Sequence, residues 1–147
     1  MGKVRIGIAI SDQSGLIASP LATIGRTEDL TQTVRDLLVA VADFTIIEAY
    51  VGLPLSLSGT FTASTQDALD FAKEISNLAP FPIRLLDERL TTVSASNNLK
   101  LAGRSQKSSR NVIDQEAATL ILEQALRTES VGLALPGKTI EEAELEG

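Results

Sequence analysis

The strongest constraint on the fold is the way hydrophobic spacing switches along the chain, from a period of two to one near 3.6 and back again. Val4, Ile6, Ile8 and Ile10 alternate with Arg5, Gly7, Ala9 and Ser11, which is the pattern of a strand with one buried face. Ser11-Asp12-Gln13-Ser14-Gly15 has turn chemistry, so Leu16 to Ile24 is predicted to return as the second strand of a hairpin, with Pro20 at an edge or a bulge. Leu30, Val34, Leu37, Leu38 and Val41 follow helical spacing and predict a helix from about Glu28 to Ala42. Thr45 to Leu53 is an apolar run of strand length, as expected for a strand covered on both faces, and Gly52-Leu53-Pro54 ends it. After a Ser/Gly-rich loop from Leu55 to Thr60, Ala68, Phe71, Ala72, Ile75 and Ala79 form a second apolar helical stripe closed by Pro80, and Pro82 to Glu88 is another strand. A short helical stretch near Val93 to Leu101, a basic loop, and a helix opened by Asn111 complete the series. Strand and helix alternating in this way predict an α/β domain over residues 1–128, with residues 129–147 as an acidic, flexible tail.

At 147 residues and 44% hydrophobic content the chain can bury a core of its own. It contains no Cys and no His. Disulfide frameworks, thiol nucleophiles, thiolate or imidazole metal sites and histidine general bases are therefore excluded. What remains for chemistry is carboxylate, Lys, Arg and hydroxyl, a set suited to hard, oxygen-ligated ions such as Mg²⁺ or Mn²⁺. No apolar run approaches the roughly 18 residues of a membrane span, and Met1 to Arg5 lacks the apolar run of a secretory signal, so a cytoplasmic protein with no membrane partner is expected. The net charge of −6 is concentrated at the end of the chain, whereas Asn97 to Ile113 holds Lys100, Arg104, Lys107 and Arg110 with no acid. Such a stretch reads equally as a phosphate-contacting segment and as a solvated loop.

Asp87 and Glu88 close an apolar strand, and the carboxyl ends of strands are where sites form in open α/β sheets. Side chains alternate along a strand, so at most one of the two can join a cluster on a given face. Asn111 as N-cap would place Asp114 at the third helical position, where free amides and the helix dipole favour a carboxylate. That is a structural reason for Asp114 as well as a way of presenting it. Two carboxylates alone fall short of a two-metal centre.

Arg5 to Asp12, then Gly15, Ala18, Pro20 and Thr23, then Val51-Gly52-Leu53-Pro54, then Asp87 to Thr92, then Ile113 to Ala118 resemble the YqgF/RuvX nuclease family in order and spacing, over roughly Gly2 to Arg127. The resemblance implies an RNase H-like fold, a mixed sheet flanked by helices and related to Holliday junction resolvases. It implies hydrolysis of phosphodiester bonds with Mg²⁺ or Mn²⁺ in 5′-end processing of pre-16S ribosomal RNA, with precursor rRNA and ribosomal particles as partners and branched DNA as the alternative substrate. Glu88 and Asp114 are the implied catalytic and metal-binding residues, with Asp87 as alternative to Glu88. Arg5, Arg89, Arg104, Lys107 and Arg110 are candidates for phosphate contact, against the alternative of surface salt bridges. Asp12 matches the family's Ser-Asp and has a turn-forming role to hand. Aromatic residues are only 3%, so recognition is expected to rest on backbone and shape rather than base stacking. In the family pattern an Asp-x-Gly precedes the stretch matched by Lys3-Val4-Arg5-Ile6-Gly7. Gly2 matches its glycine, and the Asp would fall one residue before Met1. The implied domain is therefore N-terminally incomplete, its first strand truncated. A chain that binds RNA or ribosomes without cleaving is the alternative.

Overall fold

Asp12 sets the first hairpin. In the computed structural model, which describes residues 5–56, 58–88, 106–131 and 137–145 and the side chains of these apart from 106–113, 130 and 131, its carboxylate accepts from Ser14 Oγ at 2.5 Å and from the Leu16 and Ile17 amides at 2.9 and 3.0 Å. Gly15 takes the left-handed φ of 71° that the turn requires. Strands β1 (Arg5–Ser11) and β2 (Ala18–Gly25) consequently pair antiparallel, and the register shifts between Ile8 and Ala9, where Pro20 faces Ala9. This is the bulge that a strand proline marks.

Helix α1 (Leu30–Ala40) begins at Asp29, whose side chain accepts from the Thr31 amide. Strand β3 (Ala49–Leu53) follows, then helix α2 (Ala63–Leu78), opened by a reciprocal Thr62–Thr65 capping box. Strand β4 (Ile83–Asp87) lies parallel to β3, from Ala49 opposite Ile83 to Leu53 opposite Asp87. The long helix α3 (Gln106–Val131) and the short helix α4 (Ile140–Leu145) complete the described chain.

Alternation along the strands sorts side chains into two layers. Ile6, Val51, Leu53, Ile83 and Leu85 face a buried cluster with Val34 of α1, Leu69, Phe71, Ala72 and Ile75 of α2, and Ile140 and Ala143 of α4. On the opposite face Leu86 packs with Ile121 and Ala125 of α3, flanked by Tyr50, Ala117 and Leu120. The strands are thus covered on both sides, as the apolar run through β3 predicts. Gly7 and Gly52 lie on the α3 side, and both are points of close approach. A Cβ on Gly7 would overlap the Asp114 carbonyl, and one on Gly52 would stand 2.8 Å from Ile121 Cδ1.

The expected mixed pairing is present, as two pairs, β1–β2 antiparallel and β3–β4 parallel, with no ladder joining them among the described residues. The core and α3 connect them instead. Strand β3 starts at Ala49 rather than Thr45, because its partner starts at Ile83 and the Ala49 amide already bonds the Pro82 carbonyl. Helix α3 begins at Gln106, five residues before Asn111. Asn111 is therefore inside the helix and Asp114 is beyond its first turn, since no Gly or Pro between Ser105 and Asn111 interrupts the backbone. Residues 137–145 are docked rather than flexible: Lys138 exchanges both backbone hydrogen bonds with Leu85, at 2.7 and 2.8 Å, and Ile140 and Ala143 are buried. The 128/129 boundary falls within α3. The helical stretch expected near 93–101 lies outside the described residues, as do residues 1–4.

Gly7→Ala tests the closest of these contacts. The added methyl must push α3 off β1, and the expected loss is about 1–3 kcal/mol, as for overpacked interiors, read as a lowered midpoint of thermal unfolding.

Candidate active site

Strand β4 delivers Asp87 and Glu88 to its carboxyl end. Leu85 faces the α1–α2 core and Leu86 faces α3, so alternation turns Asp87 toward the first layer and Glu88 toward the second. Glu88 lies across Gly52: a Cβ there would be 2.5 Å from Glu88 Oε1 and 3.1 Å from its Cγ. The glycine therefore makes room for the carboxylate. Of the two acids, Glu88 is the one directed to the α3 side, which also carries Asp114.

Asp114 is held from β1. Arg5 Nε donates to Asp114 Oδ2 at 2.8 Å, with side-chain exposures of 29% and 21%, so the pair is only partly screened by water. Two residues along the same strand, Gly7 backs onto the Asp114 carbonyl. One residue further along the helix, Gln115 Nε2 donates to Thr23 Oγ1 of β2 at 2.9 Å. The stretch of α3 around Asp114 is thereby tied to both strands of the hairpin.

Glu88 and Asp114 share one interface. Glu88 and Ile121 both flank the space over Gly52, and Ile121 lies on the same helix as Asp114. Among the described residues no three Asp or Glu side chains converge as a metal-binding group. Arg5 is engaged with Asp114 in this state. Lys107 and Arg110 are on α3, about two turns and one turn ahead of Asp114, with side chains outside those described. Arg89 and Arg104 also lie outside the described residues.

One cluster carried no motif. Tyr50 Oη is 2.7 Å from Glu48 Oε1 and is also hydrogen-bonded to Glu129 Oε1 of α3. A phenol has a single proton to donate, so with two carboxyl partners the second contact needs a proton on a carboxyl group. Sharing with Glu129, then burial, hold the Glu48 carboxyl above its usual range. Accepting from Glu48 and then from Tyr50 holds Glu129 below it, and burial followed by the two carboxylates pushes the Tyr50 hydroxyl up. The available signal was a lone tyrosine in an apolar strand, which needs a partner for its hydroxyl.

A family described as "RuvX: Holliday junction resolvase" matches residues 1–128. The chain belongs to this family. The relatives bearing the name "Putative pre-16S rRNA nuclease" include a protein of Clavibacter michiganensis subsp. michiganensis, 45% identical over 140 residues that cover 95% of this chain and 87% of the relative. One from Leifsonia xyli subsp. xyli is 45% identical over 141 residues, covering 96% and 90%. One from Streptomyces coelicolor is 43% identical over 143 residues, covering 96% and 84%. With two helical layers around small sheets, the α/β architecture is consistent with the RNase H-like fold of the RuvX family.

The carboxyl–phenol cluster makes stability depend on pH. Glu48 has its folded value raised, so its contribution is full below the unfolded value, near 4.3, and is lost as pH rises through the folded one. Glu129 acts in the opposite sense, its contribution falling as pH drops through its lowered value. Glu48→Gln is expected to remove the decline on the alkaline side, seen as a flatter profile of unfolding midpoint against pH above about 5 than in the wild type.

Proposed function

We propose that this chain is a cytoplasmic nuclease that hydrolyses phosphodiester bonds in 5′-end processing of pre-16S rRNA. Precursor rRNA, free or within ribosomal particles, is its substrate. The observation that carries this reading is the placing of Glu88 at the carboxyl end of β4, turned to the side of the sheet layer that carries Asp114, in a chain 45% identical to relatives named for that activity.

The donor chemistry supports Mg²⁺ or Mn²⁺. Glu88 and Asp114 offer carboxylate oxygen only, and Mg²⁺ is commonly held by one or two carboxylates with substrate phosphate and water completing its shell. Glu88 and Asp114 would hold the ion, whereas Asp87, the alternative to Glu88 in the sequence, is turned to the opposite layer. Bound there, it would supply positive charge to a phosphoryl oxygen. The protein's own groups have separate work. Arg5 orients Asp114 through its 2.8 Å bond. Arg89, Arg104, Lys107 and Arg110 are proposed to bring phosphate to the site, which sets register along the RNA rather than sequence preference.

The engagement of Asp114 with Arg5, together with the lack of a three-acid group among the described residues, favours a second reading, that of an RNA-binding protein without turnover. The family's description keeps four-way DNA junctions as a competing substrate. The deciding experiment incubates the purified chain with 5′-extended 16S precursor or with a four-way junction, with and without Mg²⁺ or Mn²⁺. Ion-dependent cleavage of the RNA is expected. Glu88→Gln and Asp114→Asn should each reduce it by at least about 100-fold while RNA binding stays within a few-fold of wild type. Tight binding with no cleavage supports the binder, and preference for the junction supports the resolvase.

A further inference from the structure

We infer that Gly137 is a positioning residue: with Lys138 it clasps the outer edge of β4 and fixes the end of that strand from which Asp87 and Glu88 project. This rests on the proposed role of Glu88.

The β3–β4 pair is two strands wide among the described residues, and two strands alone are marginal. Away from β3, the outer edge of β4 presents the Leu85 N–H and C=O. Lys138 takes both, its amide donating to Leu85 O at 2.8 Å and its carbonyl accepting from Leu85 N at 2.7 Å, the closely bonded geometry of an antiparallel pair. Arg84 Nη2 adds a bond to the Gly137 carbonyl at 2.9 Å. Only glycine permits this approach. Residue 137 has φ of +68°, and a Cβ on it would overlap the Leu85 carbonyl oxygen.

The clasp is itself held from behind. Thr139 and Glu142 cap α4 reciprocally at 3.2 Å, Ile140 and Ala143 are buried in the core against α2, and Lys73 Nζ meets Glu144 Oε2 at 3.1 Å. The clasp's contact falls at Leu85, two residues before Asp87 and three before Glu88, close to where the strand ends. Fixing Leu85 on its outer side complements the β3 ladder on its inner side, so the strand cannot slide or splay as it presents Glu88 over Gly52.

Gly137→Ala tests this, with wild type and Glu88→Gln measured in parallel. In Gly137→Ala, amide exchange of residues 83–88 is expected to quicken by about 10-fold or more while that of β1–β2 is unchanged. The kcat for precursor RNA should fall about 10- to 100-fold, as for a small misplacement of a reacting group, with KM within twofold. A stabilising role alone would lower the unfolding midpoint and leave kcat intact at temperatures where the variant is folded. Unchanged kcat in Gly137→Ala beside an inactive Glu88→Gln overturns the clasp alone. Full activity in Glu88→Gln, or none in the wild type, overturns the nuclease site and the proposal with it. Should Gly137→Ala fail to fold, Lys138→Pro, which deletes the amide donor to Leu85 O, is read in the same way.

Discussion

Helix α3 lies against both strand pairs because two positions beneath it lack side chains. At Gly7 its backbone reaches the strand, and at Gly52 Ile121 and Glu88 fill the space a methyl would take. The two pairs share no ladder among the described residues, so their relation depends on what packs across them. On one face that is the α1–α2 core, and on the other it is α3. The apolar contacts dominate this bridge. Burying a Leu or Ile such as Leu86 or Ile121 is worth about 1.5–3 kcal/mol, whereas a half-exposed pair such as Lys73–Glu144 contributes at most about 1 kcal/mol. The position of α3 in turn sets where Asp114 stands relative to Glu88.

Charge is distributed to suit that bridge. Arg5 compensates Asp114 beside β1, and near the other end of the helix a shared proton lets Glu129 and Glu48 meet at Tyr50 beside β3. Asp114 and Glu129 of α3 are therefore each tied to a different strand pair. The carboxyl–phenol cluster depends on holding one proton.

Much of this was legible in the sequence wherever period and punctuation agreed. Alternation from Ile6 to Ile10, the Asp12 turn, Pro20 at the bulge and the stripe Ala68-Phe71-Ala72-Ile75 each follow from local chemistry, and the structure has them. Asp87 and Glu88 on opposite faces also follow from the strand period. What was not legible depends on partners distant in sequence. Lys107 and Arg110 read as loop because serine and basic residues surround them, yet nothing there breaks a helix. Residues 137–145 read as tail because they are acidic, yet Ile140 and Ala143 enter the core and the Lys138 backbone pairs with β4. Tyr50 gave no sign of which acids it would join, since Glu129 is 79 residues away.

Strand alternation also separates stability from chemistry. The face toward α1 and α2 is filled by Ile6, Val51, Leu53, Ile83 and Leu85, large residues whose truncation opens cavities. The face toward α3 carries Gly7, Tyr50, Gly52, Leu86 and Glu88, a mixture of small and polar groups around a smaller apolar cluster. A hydrophobic face tolerates few polar groups because each buried one needs a partner. By devoting one layer to packing, the fold leaves the other free to hold carboxylates that are paired or aimed at the rim. Moving β4 by one residue would exchange the faces, sending Glu88 toward the core and Leu85 toward α3. Register of β4 is therefore a condition of the site as much as of the sheet, which is why its outer edge is the place where a second fastening has an effect.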